Sequence, residues 1–166
     1  MLPVELRTLA YDHPDAKALI AEVQQEYVVR YGDEDITPVT PAEFAPPRGL
    51  FLVGYLDGVP MICGGWRAHD SDEPGFADGD AELKRMFVVQ AARGRGLARV
   101  LLAELERTAL AAGRRRMVLE TGTEQPEAIA LYSSSGYAPI AKFGVYAGYD
   151  NSRCFGKRIA VPATAE

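Results

Sequence analysis

A chain of 166 residues, 48% apolar and 25% charged, has the length of one compact domain and enough apolar surface to bury a core without disulfides or a structural metal. Its 18 Lys and Arg against 23 Asp and Glu give a formal charge of −5, which argues against nucleic acid or an anionic membrane surface as partner and requires any phosphate site to be local. Cys63 and Cys154 are too far apart in sequence for a metal knuckle, and no segment reads as a secretory leader or a bilayer span, so a cytoplasmic protein is expected.

Val4 to Leu9 alternates weakly and predicts a first strand. Asp12-His13-Pro14-Asp15 then supplies capping chemistry for a helix whose apolar face is Ala16, Ile20, Val23, Tyr27 and Tyr31, ended by Gly32. The acidic and proline-rich stretch from Asp33 to Pro47 reads as a loop bordering a site, with a short helical turn at Ala42 to Ala45. Gly49 to Leu56 and Val59 to Arg67 flank Asp57-Gly58 and predict a hairpin.

His69 to Asp80 is a polar connection to a strand over Glu82 to Val89. From Gly94 onward, Leu97, Leu101, Leu105, Ala109 and Ala112 form a helical stripe closed by Gly113. Met117 to Glu120 reads as a buried strand, Glu127 to Ser134 as a helix introduced by Pro126, a long strand is expected after Gly136, and Phe155 to Ile159 closes the sheet. The order is that of a mixed α/β domain over residues 1–166, with hairpins early and a strand-helix-strand-helix-strand run later.

Residues Met86 to Ala98 join a strand to a helix N-terminus through a turn bearing Gly94 and Gly96. Glycines let a ligand approach the backbone, successive N–H groups converge on it, and the helix end carries about half a positive charge, so the segment suits a phosphate or pyrophosphate. The mononucleotide pattern G-x-x-x-x-G-K-[ST] is absent. The dinucleotide pattern G-x-G-x-x-G fails at Arg99, although Glu120 stands where a ribose-binding acid would.

The segment does fit R-x-x-G-x-A at Arg93, Gly96 and Ala98, followed by Gln125-x-x-Ala128-x-x-Leu131-Tyr132-x-x-x-Gly136-Tyr137. In these two motifs and their order the chain resembles the GNAT superfamily of N-acetyltransferases. It departs from many members at Gln90, where they have Pro, and at Gln125, where they have Asn. The resemblance implies an α/β fold with a mostly antiparallel central sheet of about seven strands flanked by about four helices. It also implies acetyl-CoA as cosubstrate, bound by the backbone of Met86, Phe87 and Val88 along the pantetheine. The segment Arg93, Gly94, Arg95, Gly96, Leu97, Ala98 and Arg99 would hold the pyrophosphate, and the Gln125 amide would reach the coenzyme.

Tyr132 is then the expected general acid for the leaving thiolate. An amine acceptor of pKa about 10.4 is about 3.4 units too protonated at pH 7, a deficit of roughly 4.6 kcal/mol, which calls for a base. Glu82, on the same strand alternation as Lys84, Met86 and Val88, is the first candidate. Glu120 is the second, with a salt bridge to Arg114-Arg115-Arg116 as its other reading.

That arginine run lacks interleaved aromatics and reads as a solvated turn, without an RNA site. His13 and His69 have no metal-ligand spacing, so no metal is expected, and Ser133-Ser134-Ser135 reads as a helix end. Asp33-Glu34-Asp35 and the group Asp70, Asp72, Glu73, Asp78 and Asp80 offer an acidic rim for a cationic acceptor, with Tyr31, Trp66, Tyr146 and Tyr149 as candidate cleft residues. The expected activity is direct acetyl transfer from acetyl-CoA to a primary amine of a small molecule or peptide. The alternative is a non-catalytic acyl-CoA sensor. The acceptor, the acyl-chain preference and a homodimer, common in the resembled family, stay open.

Overall fold

The structure, a computed structural model, describes residues 3–160; Met1, Leu2 and residues 161–166, the two ends of the expected 1–166 domain, lie outside the described residues. Its elements in chain order are β1 (Val4–Thr8), α1 (Pro14–Tyr31), β2 (Gly49–Leu56), β3 (Val59–His69), β4 (Asp80–Val88), α2 (Leu97–Ala111), β5 (Arg116–Gly122), α3 (Pro126–Ser134), β6 (Ala138–Pro139) and β7 (Ser152–Arg158). Short 3-10 turns at Pro41–Phe44 and Gln90–Ala92 complete it, the first overlapping the helical turn expected at Ala42 to Ala45. Among the described residues there are thus three α-helices around one seven-stranded sheet of order β1-β2-β3-β4-β5-β7-β6.

Local chemistry accounts for the element ends. His13 caps α1 by accepting the Asp15 N–H at 3.0 Å, Pro14 follows it, and Gly32 ends the helix at φ +84°. Asp57 and Gly58, both with positive φ, turn the β2–β3 hairpin. Leu97, Leu101, Leu105 and Ala109 of α2 are buried against one face of the sheet, where Trp66, Leu83, Met117 and Leu119 meet them. Ala16, Leu19 and Val23 of α1 cover the other face over Phe51, Val53 and Cys63. Among the described residues no helix is long and apolar enough to cross a membrane.

Two features of the sheet make the site. The only parallel pair among the described residues, β4 with β5, is short: Asp80, Ala81 and Glu82 pair with Arg116, Met117 and Val118, and beyond them the strands part. In β4 itself the register against β3 steps from Lys84 opposite Gly65 to Phe87 opposite Cys63, so one extra residue is inserted, and Arg85 takes φ +61°. A left-handed non-glycine residue costs about 1–2 kcal/mol.

The bulge corrects the alternation expected for this strand. Glu82 and Lys84 do share a face, that of α1, but Met86 and Val88 turn to the α2 side, where the Met86 Sδ lies over Gly64 beside Leu101. The long strand expected after Gly136 is also corrected. Only Ala138 and Pro139 pair with β7, and the chain then turns through Gly144 at φ +82°, with Ala147 and Tyr149 N–H groups bonded back to Gly144 and Tyr146 carbonyls. Phe143 is buried there against Phe76.

Candidate active site

The turn between β4 and α2 is built to receive an anion. Gly94 and Gly96 both hold left-handed φ, +80° and +76°, and nothing lies within 4 Å of where a Cβ would stand on either. Gly96 is the N-cap of α2 and offers no side chain to the helix end. Among the described residues the N–H groups from Gly94 to Arg99 find no acceptor and stand free at the positive end of the helix. Free N–H groups at that pole are the chemistry that suits a pyrophosphate.

The arginines divide their work. Arg93 braces the turn, donating from Nε to the Val88 carbonyl at 2.9 Å and from Nη2 to Glu26 at 2.7 Å. Arg99 ties α2 to α3 through Ser134 and Ser135 at 2.6 and 3.2 Å. Arg95 is exposed and makes one long contact, 3.4 Å to the Ala91 carbonyl, which leaves it available to a ligand. Gln125 donates to the Tyr31 hydroxyl at 3.3 Å and so joins the start of α3 to the end of α1. Past Glu82 the β4 edge, including Met86, Phe87 and Val88, has no strand partner on the β5 side.

Where β4 and β5 part, a cleft of about 350 Å³ opens. Tyr132, from α3, reaches it as a buried side chain stacked edge-to-face on Tyr137 at 5.6 Å. Its hydroxyl has no hydrogen-bond partner among the described residues, and burial pushes its pKa above the ordinary tyrosine value. Glu120, from β5, lines the same cleft. Burial raises its pKa to about 7; the Lys84 charge opposes this, Glu82 and Asp35 add to it, and its partner is the Ser152 hydroxyl at 3.4 Å. Asp35, from the loop after α1, accepts from Lys84 Nζ at 2.7 Å and Arg85 Nη1 at 2.6 Å. Those cations hold its carboxyl well below the ordinary range although burial acts the other way.

Glu82 lies outside this cleft. It is 3% exposed, and its Oε1 accepts from Arg67 Nε at 2.9 Å and meets His69 Nε2 at 2.8 Å. Burial alone would raise its pKa; the His69 hydrogen bond and the charges of Lys84 and Arg67 lower it instead. Arg67 continues to Glu43 at 3.0 Å, and His69 to Glu73, with its ring stacked on Phe76 at 3.9 Å. Of the two candidate carboxylates, the structure brings only Glu120 together with Tyr132.

Other expectations resolve by burial. Trp66 is core, donating to Thr108 at 3.0 Å, whereas Tyr31, Tyr146 and Tyr149 do line the cleft. The arginine run is no solvated turn: Arg114 is buried and bonded to Asp70 at 2.7 Å, and Arg116 holds Asp80 at 2.8 and 2.9 Å. Asp70 and Asp80 are thereby consumed, and only Asp33, Glu34 and Asp35 of the expected acidic rim border the cleft. Glu120 is not the partner of that run. The reading from sequence missed Lys84, Arg85 and Tyr27 as cleft residues. The signal for the first two was present, since adjacent cations inside a buried-type strand require partners. Among the described residues no group of three or more His, Cys, Asp or Glu could hold a metal ion.

The chain is similar to known proteins in sequence and in fold. An IAA acetyltransferase of Azospirillum brasilense is 42% identical over 102 residues, 61% of this chain; the matched stretch spans only 63% of that protein's length. The structure of a Klebsiella pneumoniae protein, solved as a candidate acyl-CoA N-acyltransferase, superposes with a TM-score of 0.75 at 26% identity, covering 95% of this chain and 98% of the other. The PaiA N-acetyltransferase of Thermoplasma acidophilum, in complex with coenzyme A, superposes with a TM-score of 0.68 at 15% identity over 95% and 99% of the two chains, a likeness of fold. Residues 16–137, which run from α1 through the glycine turn to the Tyr132 helix, match the acetyltransferase (GNAT) family, and the chain belongs to that family.

Proposed function

We propose that this protein moves an acetyl group from acetyl-CoA directly to a primary amine of a small molecule or peptide, with Glu120 as base and Tyr132 as general acid. One observation carries the reading: the Glu120 carboxyl, whose pKa burial raises to about 7, and an unpartnered tyrosine hydroxyl line the same cleft where β4 and β5 part. A base is most useful when its pKa is near the working pH, and the Tyr132 hydroxyl holds its proton there.

The N–H groups of Gly94 to Arg99, with Arg95, would hold the pyrophosphate, and the free β4 edge at Met86 to Val88 would receive the pantetheine amides as an added strand does. Acetyl-CoA supplies the activated acyl group. The Glu120 carboxylate takes a proton from the acceptor's ammonium, which frees the lone pair that forms the new C–N bond. As the C–S bond breaks, the Tyr132 hydroxyl gives its proton to the departing sulfur. As the adduct collapses the nitrogen loses its second proton to solvent water, the proton on Glu120 returns to solvent through the cleft mouth and Tyr132 recovers one from solvent. Each turnover thus converts an ammonium and a thioester into an amide, a thiol and one released proton. In this reading Glu82, fixed by Arg67 and His69, has a structural role.

The test is free-thiol release from acetyl-CoA over a panel of amines, beside calorimetric titration of the coenzyme. Tyr132→Phe is expected to lower kcat by about 10²-fold with coenzyme affinity unchanged. Normal turnover by that variant would remove Tyr132 from the mechanism. Saturable coenzyme binding without thiol release for any amine would favour the acyl-CoA sensor instead.

A further inference from the structure

Lys84 and Arg85 are consecutive residues of a strand, yet both reach one side of the sheet and line one cleft. A regular strand would send them to opposite faces; the bulge at Arg85 turns the second beside the first. Both side chains are nearly sealed from bulk solvent, 8% and 4% exposed, and they share a single carboxylate oxygen, Oδ2 of Asp35. The other Asp35 oxygen accepts the Thr37 N–H at 2.9 Å.

Among the described residues no other carboxylate forms an ion pair with either cation. Glu82 is taken up by Arg67 and His69, and Glu120 has the Ser152 hydroxyl as its hydrogen-bond partner and forms no ion pair with either cation. Tyr11 offers only a neutral hydroxyl, 3.3 Å from Arg85 Nε. The guanidinium retains Nη2 with no partner among the described residues, although that atom is not sealed from the cleft. Two buried cations against one carboxylate form a wall that a further anion would complete, and a guanidinium with a free edge suits a carboxylate.

We infer that the acceptor is an amine that also bears a carboxylate, and that Arg85 with Lys84 binds that carboxylate while the amine faces Glu120. This rests on the transferase reading and names its substrate class. The cleft lining adds exposed apolar surface at Ile36 and Tyr149, which are 65% and 58% exposed, so acceptors with an apolar side chain are the first to try.

The experiment compares matched acceptors: alanine, leucine and phenylalanine, each against its amide and its decarboxylated amine. The carboxylate form is expected to show kcat/KM about tenfold or more above its partners, the usual worth of a hydrogen-bonded charge. In Arg85→Gln that preference should collapse through loss on the carboxylate form alone, with coenzyme affinity held, and Arg85→Lys should recover part of it. A wild type that favours the amide or the plain amine, or a variant that slows all acceptors equally, would overturn the inference and leave the transferase standing. If Arg85→Gln does not fold, Lys84→Met is read the same way.

A second readout does not need turnover. N-acetylleucine and N-acetylleucinamide are titrated into the protein loaded with coenzyme A, and tighter binding of the acid supports the inference whereas equal or weaker binding overturns it. Absence of thiol release with every amine would count against the transferase reading, and this product titration would still decide the carboxylate site.

Discussion

The paired end of β4 and β5 and the open end beyond it carry similar side chains in opposite states. At the paired end these carboxylates are answered: Asp80 by Arg116, Asp70 by Arg114, Glu82 by Arg67 and His69. A few residues on, Glu120 has only a hydroxyl at 3.4 Å, Tyr132 has no hydrogen-bonded partner among the described residues, and two cations share one carboxylate. Burial is common to both ends, so it does not separate them. What separates them is whether the strands continue to pair, because pairing brings partners into register and parting leaves groups facing a cavity. Matched charges hold the fold; unmatched ones are available to a substrate.

Glutamine placed at each of the two glutamates would break or sharpen that distinction. Glu82→Gln leaves the Arg67 guanidinium and His69 without their shared buried anion and is expected to cost about 3 kcal/mol of stability, read by denaturant unfolding. Its folded fraction should keep turnover, since the residue lies outside the cleft. Glu120→Gln should do the reverse, lowering kcat/KM by about 10²-fold with the protein intact. Wild-type activity should rise with pH through about 7, as Glu120 loses its proton, and the variant should lack that limb. If Glu82→Gln instead loses activity while remaining stable, the roles of the two ends are exchanged.

A smaller effect follows from the same carboxyl. The pKa of Glu120 is raised from 4.5 to about 7 on folding, so between those values the folded chain binds more protons than the unfolded one. Stability therefore falls as pH rises through that window. Glu120→Gln should flatten this fall and be the more stable protein above pH 7, by thermal unfolding across pH. A variant that loses activity and gains stability would mark Glu120 as a group held in an unfavourable state for use.

Much of the proposed donor half was legible because its signals are local. The α2 stripe repeats at helical spacing, the glycines stand where the backbone needs positive φ, and Tyr132 falls in a motif whose spacing is set by one helix. The acceptor half depends on partners distant in sequence. The bulge at Arg85 arises against Gly64 and Cys63 of β3, and with it the alternation that put Met86 and Val88 beside Glu82 fails. Glu82 and Glu120 look alike along the chain; Arg67 and His69, more than a dozen residues away, make one of them structural. Asp70 and Asp80 read as a rim until Arg114 and Arg116 arrive from the far side of α2. The segment after Gly136 has strand-like composition, but Gly144 and Phe143 fold it over the cleft.

That folded segment gives the smallest test. The Ile36 N–H donates to the Tyr146 hydroxyl at 2.8 Å, a clasp between the loop after α1 and the loop before β7 at the mouth of the open end. Ile36 is exposed, so when Tyr146→Phe removes the oxygen, water replaces it and the net loss is only about 0.5–1 kcal/mol. Global stability should hardly move. Because the two loops border the acceptor side and neither touches the glycine turn, the loss should appear as a rise of about two- to fivefold in acceptor KM, with coenzyme affinity unchanged. An equal loss of coenzyme affinity would mean that the clasp shapes the whole cleft, and that the donor and acceptor sides of the open end are one unit.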